Sequence, residues 1–136
     1  MKTKLKLILA SIIVSMALMS STCCYDDELY SDLNIYYPEI SSIDTVIYYK
    51  TEKGNLNNIV DSNIYYKNYS NSIYIPMYEY LNNDLIINVN NEYIDTISNV
   101  KKVIEETSCG SHDVFYYYFN KKYTNARNIR VKQKDN

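Results

Sequence analysis

Tryptophan is absent from this chain of 136 residues, phenylalanine, glycine and proline occur twice each, cysteine three times and histidine once. Each shortage closes a class of chemistry. Two glycines cannot build the Gly-rich loop whose successive backbone N–H groups cradle a phosphate. One histidine and no CxxC pair leave no set of soft ligands for zinc. The acidic residues Asp26, Asp27 and Glu28, and the separate Asp44 and Asp95, could offer oxygen to calcium but lack the spacing of a calcium loop. Neither a metal nor a cofactor is therefore expected. Long apolar runs are also missing: residues 7–19 are apolar over 13 positions, short of the roughly 20 that a helix needs to cross a bilayer.

That one apolar run has a definite place. Lys2, Lys4 and Lys6 precede it, and Ser20, Ser21 and Thr22 lead from it to Cys23 and Cys24. Basic, apolar and small-residue regions in this order are the layout of an export leader. Residues 1–22 are therefore expected to be a signal peptide, residues 23–41 an acidic tether, and residues 42–136 the folded domain. Removing the leader leaves about 113 residues, enough to bury a core without help from metals or many disulfides. It also removes three lysines and no acid, which takes the formal charge from −2 to about −5. Nucleic-acid affinity comes largely from Lys and Arg displacing counterions, so no nucleic-acid partner is expected. The late basic residues, among them Lys121, Lys122, Arg127 and Arg130, read as a solvated edge or tail.

A cysteine directly after a leader suggests lipoprotein processing, with the thiol acylated as the first mature residue, at Cys23 or at Cys24. Neither has a large aliphatic residue three positions upstream, where Ser20 and Ser21 stand, so cleavage without lipid is the other reading. An odd cysteine count in an exported chain asks for an explanation. If Cys23 carries the lipid, Cys24 and Cys109 are left to pair; if Cys24 carries it, Cys109 is a lone thiol. The Cys24 to Cys109 pairing is the favoured scheme. It would close a loop of more than 80 residues, for which chain entropy gives an upper figure of roughly 4 to 5 kcal/mol.

What the chain has in abundance is tyrosine, 17 residues of it, with isoleucine and asparagine equally numerous. Tyr and Ile favour strands and Asn favours turns. Residues 42–50, 63–67, 72–81, 84–90, 93–98, 114–120 and 128–132 read as strands, and residues 100–107 as a strand with a helical turn as the alternative. Residues 51–58 read as a loop in which Gly54 takes a positive φ. Asn90 and Asn91 are expected to turn a hairpin, and Pro76, without a ladder donor, belongs on an edge or at a bulge. Seven or eight short strands spaced by about ten residues predict an all-β fold, an antiparallel sandwich of immunoglobulin-like type.

The order of these segments resembles a group of small Bacteroidota lipoproteins whose molecular role is unassigned. The resemblance is carried by the leader, the cysteines followed by Asp26, Asp27 and Glu28, DTVIYY at 44–49, IYIPMYEY at 73–80, DLIINVNNEYIDTI at 84–97, SCG at 108–110 and NIRV at 128–131. Ser111 stands where an aromatic often follows the glycine. The acidic residues behind the cysteines resemble the export signal that sends such lipoproteins to the outer leaflet of the outer membrane. What the resemblance implies is an address in the envelope, an N-terminal lipid anchor as the link to the membrane, and a β domain; it implies no reaction.

No enzymatic signature accompanies it. Cys109 and His112 are three apart, whereas the nucleophile and base of cysteine hydrolases usually converge from distant segments. Glu105 and Glu106 are adjacent and on a strand would face opposite ways, unable to share one glycosidic bond. A non-enzymatic binding or structural module is thus the leading expectation, with a protein or glycan as its ligand. The alternative is a small secreted hydrolase or inhibitor-like factor with a site assembled from scattered residues. Neighbouring tyrosines, Tyr48 with Tyr49, Tyr65 with Tyr66, and the run 116–118, must point some rings outward. Tyr116 and Tyr118 are singled out as the binding residues, because such rings offer area and a hydrogen bond at low entropic cost.

Overall fold

A computed structural model of the chain describes residues 32–68, 70–107 and 110–132. The leader, Cys23, Cys24 and Cys109 lie outside these residues, and with them the lipid site and the Cys24 to Cys109 pairing. Nine strands follow in order: β1 (Asp32–Tyr36), β2 (Ile43–Glu52), β3 (Asn55–Asn68), β4 (Ser72–Pro76), β5 (Asn83–Val89), β6 (Tyr93–Thr107), β7 (Gly110–Phe119), β8 (Lys122–Thr124) and β9 (Asn128–Arg130). A 3-10 turn, Met77–Tyr80, lies between β4 and β5. They form a six-stranded sheet in the order β3-β2-β5-β6-β7-β8 and a three-stranded sheet in the order β4-β1-β9. Pairing is antiparallel except between β1 and β9. The chain thus forms the all-β sandwich that its strand spacing implies. The immunoglobulin-like description applies to the two-sheet layering; the strand order contains a four-strand meander, β5 to β8.

Alternation places the core. Leu33 and Ile35 from β1, Ile73 and Ile75 from β4, Leu85, Ile87 and Val89 from β5, and Ile97 from β6 are at most 2 % exposed, and they join Val46, Phe115 and Tyr117 in one cluster between the sheets. Burying each such aliphatic side chain is worth roughly 1.5 to 3 kcal/mol. The opposite face of the larger sheet has no covering layer among the described residues, and Ile64, Ile94 and Val103 are exposed there.

Three expectations change. Residues 32–37, assigned to the acidic tether, are the middle of the smaller sheet, with Leu33, Ile35 and Tyr37 buried. Their acidic and polar neighbours dominate the composition and hide the period of two. Residues 51–58 are not a loop: β2 runs to Glu52, turns through Lys53 and Gly54 (φ 81°), and resumes as β3 at Asn55. The Asp84 carboxylate, itself buried, accepts the Gly54 N–H at 2.9 Å and the Asn99 N–H at 2.8 Å. It therefore holds both the turn and the β6 bulge, where Asn99 takes a φ of 54°. The polar residues of early β3 suit an edge strand with exposed side chains. Finally, the expected strand 72–81 divides at Pro76, which sits at the free edge of β4 where no ladder donor is needed, and the chain turns so that Met77 and Tyr80 are buried.

Other expectations hold. Asn90 and Asn91 take φ values of 54° and 58° in the β5–β6 hairpin, and residues 100–107 continue β6 as a strand. Strands β3 and β6 reach 14 and 15 residues, longer than the spacing suggests.

The two buried carboxylates of the core, Asp84 and Asp95, are matched by donors, whereas the buried Thr51 Oγ1 has no partner among the described residues. Tyr37 is fully buried and its hydroxyl donates to Asp95 at 2.9 Å; Asn120 Nδ2 donates to the same carboxylate at 2.5 Å. Removing one donor leaves a buried carboxylate short of a partner, which typically costs about 1 to 3 kcal/mol. Tyr37→Phe is accordingly expected to lower the unfolding free energy in urea by about that amount; a loss under about 0.5 kcal/mol would show that the bond carries no weight.

Candidate functional site

The free edges of β3 and β4 lie on the same side of the sandwich, because the chain leaves the larger sheet at the end of β3 and enters the smaller one at β4. Between them is a groove of about 440 Å³, within the usual range for small-ligand sites. Val46, Ile73 and Ile75 form its apolar floor, Tyr48 and Tyr80 its inner rings, and the exposed Tyr65, Tyr66 and Tyr74, with Pro76 and Glu79, complete the lining.

Ladder parity explains the convergence. Val46 pairs with Tyr65 across β2 and β3, and Val46 and Tyr48 alternate with Ile47 and Tyr49, so Tyr48 and Tyr65 project inward. Their rings meet edge to face, with centroids 5.4 Å apart and planes at 70°. The turn after Pro76 brings Tyr80 in from the other sheet's side, and Lys50 Nζ sits 5.7 Å from the Tyr80 ring centroid.

Four tyrosine hydroxyls outside the groove have acceptors within the protein. Tyr37, Tyr78, Tyr116 and Tyr117 donate to Asp95, Asp113, Glu105 and the Ala126 carbonyl. Tyr48, Tyr65, Tyr66, Tyr74 and Tyr80 have no hydrogen-bonded side-chain partner among the described residues, and none of their hydroxyls is sealed from solvent. Burial pushes the Tyr48 phenol well above its ordinary value, with Tyr80 and Tyr65 adding to the shift. Burial, then the Glu79 carboxylate, Tyr65 and the Asp61 carboxylate, push Tyr80 up to about 12. Both phenols are therefore protonated donors across the physiological range.

The residues singled out from the sequence are placed differently. Tyr116 and Tyr118 flank buried Tyr117 and lie on the uncovered face of the larger sheet. Tyr123 from β8 stacks on Tyr116 at 5.9 Å and tilts against Tyr118 at 5.2 Å. The Tyr116 hydroxyl donates to Glu105 at 2.9 Å, a bond that raises its pKa. These rings shield one another and the end of the sheet. His112 and Asp113 are neighbours in β7 and so face opposite ways. His112 is in register with Glu105 without a hydrogen bond between them, whereas Asp113 accepts from Tyr78 and from Lys102 at 3.3 Å. The Tyr78 bond, followed by Lys102, holds the Asp113 carboxyl below its ordinary value. With Tyr78 edge-on to Phe115 at 4.8 Å, this cluster clamps the 3-10 turn onto β7. Among the described residues no three His, Cys, Asp or Glu side chains gather around a common point. Tyr74, Glu79 and Tyr80, missed in the sequence, had one local signal: Pro76 ends a strand inside a run of alternating aromatics.

The buried phenols make a pH prediction. Tyr37, Tyr48, Tyr80 and Tyr117 all have raised pKa values, with burial the leading cause. A raised pKa favours the folded state below the ordinary value of 10.0 and loses that contribution as the pH climbs through the folded value, about 12 for Tyr80. Absorbance titration is expected to show a group of tyrosines that ionises only together with the loss of β circular dichroism, whereas ionisation of every tyrosine with the fold intact would contradict this.

No protein-family model, no curated protein and no solved structure matches this chain.

Proposed function

We propose that this chain is an exported, lipid-anchored, non-enzymatic binding module of the bacterial envelope, and that its ligand enters the tyrosine-lined groove between β3 and β4. The observation that carries the reading is the groove itself, in which five tyrosine rings, none with a protein acceptor for its hydroxyl among the described residues, gather around an apolar floor of Val46, Ile73 and Ile75. Solvent-accessible rings and hydroxyls gathered beside an apolar floor favour a bound partner over a purely structural role, because ring faces and hydroxyls together recognise an amphipathic ligand.

Export and anchoring rest on the basic, apolar and small-residue order of residues 2–22 and on the cysteines behind them. The resemblance to small Bacteroidota lipoproteins points to the outer membrane as the address. Eight residues separate Cys23 from the start of β1 at Asp32, a span of no more than about 30 Å even when fully extended. Asp32 pairs with Pro76, so the tether enters the sandwich beside one end of the groove. The ligand would therefore be met close to the membrane surface.

Two measurements test this. Cells fed an alkynyl fatty acid should label the wild-type protein, and either Cys23→Ala or Cys24→Ala should abolish the label; label retained in both variants contradicts the anchor. The mature protein applied to arrays of glycans and peptides should bind in a groove-dependent way. The Tyr65→Ala/Tyr80→Ala double variant should lose at least about tenfold in affinity and Tyr116→Ala almost none. Binding that follows Tyr116, or no binding to either class, contradicts the groove as the site.

A further inference from the structure

We infer that the groove takes a neutral pyranose sugar within an oligosaccharide, a ligand class that rests on the binding reading above and narrows it. A pyranose ring is amphipathic: its axial C–H groups form an apolar face and its hydroxyls form a polar rim. The groove has the matching division, with the rings of Tyr48, Tyr65 and Tyr80 standing over an aliphatic floor and their unpartnered hydroxyls, with the Glu79 carboxylate, available at the same place. A wholly apolar ligand would cover those hydroxyls and leave them without partners, at a cost of about 1 to 3 kcal/mol each. A carboxylate such as Glu79 can accept from two vicinal sugar hydroxyls, and the phenols, protonated at neutral pH, can donate to ring or hydroxyl oxygens.

Charge decides against the ionic alternatives. Glu79 lines the groove, and Asp61 is close enough to Tyr80 to raise its pKa. An acidic sugar, a phosphate or a sulfate would meet these carboxylates. The Lys50 ammonium is already placed over the Tyr80 ring. That same lysine disfavours a cationic ligand, because the ring face a cation would seek is occupied by a like charge.

An extended peptide added to the free edge of β4 is the remaining competitor, and the backbone of that strand argues against it. The Tyr37 N–H donates to the Asn71 carbonyl at 2.8 Å. With the β1–β4 register this directs the backbone groups of Ile73 and Ile75 toward β1. The outward positions are then Ser72, Tyr74 and Pro76. Pro76 has no N–H, and the Ser72 N–H and carbonyl are both engaged by the Ser70 hydroxyl. Tyr74 alone presents a full donor and acceptor pair, too little for an added strand, which needs a row of them.

Calorimetry of the mature protein with neutral oligosaccharides of glucose, mannose, galactose, xylose and N-acetylglucosamine tests the inference, with oligogalacturonate as the anionic control. At least one neutral series should bind. Tyr48→Phe and Tyr80→Phe, which keep the rings and the fold, should each weaken it by about 3- to 10-fold, and Tyr65→Ala by more than about 10-fold. Oligogalacturonate should bind at least about tenfold more weakly. The inference is overturned by Phe variants that bind as tightly as wild type, by an anionic sugar that binds equally well, or by no neutral sugar binding at about 10 mM. If the sugars fail while an array peptide binds and loses affinity in Tyr65→Ala, the binding reading stands and only the sugar assignment falls; if neither class binds, both fall.

Discussion

The hydrogen bond from Tyr37 to Asp95, 2.9 Å long and inside the core, joins the residue after β1 to the start of β6 and so fixes one sheet of the sandwich against the other. Asp95 can be buried because Asn120 supplies its second donor, and an unpartnered carboxylate at that depth would be costly. Once β1 is held in this way, β4 and β9 have a template to pair with on either side. The separation of the β3 and β4 edges, and with it the width of the groove, follows from that spacing.

A second buried acid does comparable work at the turns. Asp84 holds Gly54 and Asn99 in left-handed backbone conformations, which lets β2 reverse tightly into β3 and lets β6 carry its bulge. The bulge matters to the core, because it returns Val100 to the interior beside Ile97. Lys53 donates to the carbonyls of Leu81 and Val100 at 2.6 and 3.3 Å, tying the same turn to the segment after Tyr80. The 3-10 turn that carries Tyr80 is thus tied at its far end to the β2–β3 turn.

Much of the fold was legible in the sequence because sheet faces obey a period of two. β2, β5 and the start of β6 follow from alternation, and the Asn90–Asn91 hairpin from the tolerance of Asn for positive φ. β1 was not legible: Asp32, Asn34 and Tyr36 surround Leu33 and Ile35, and an acidic composition masked two core residues. The first half of β3 was missed for the opposite reason, since an edge strand with exposed side chains carries no apolar pattern to find. The groove was invisible because it joins β2, β3, β4 and a turn that only the fold brings together. The tyrosine run in β7 gave the correct parity, with Tyr116 and Tyr118 opposite buried Tyr117. What the sequence could not convey is that Tyr123 would cover those rings and that Glu105 would take the Tyr116 hydroxyl.

The central claim is that recognition belongs to the groove tyrosines and not to the exposed tyrosine patch on the other face. Ring-selective NMR of the tyrosine-labelled protein, recorded while a neutral oligosaccharide is added, reads this directly. The account predicts that the Tyr48, Tyr65 and Tyr80 resonances move while those of Tyr116, Tyr118 and Tyr123 stay in place. Movement confined to the second group would contradict it.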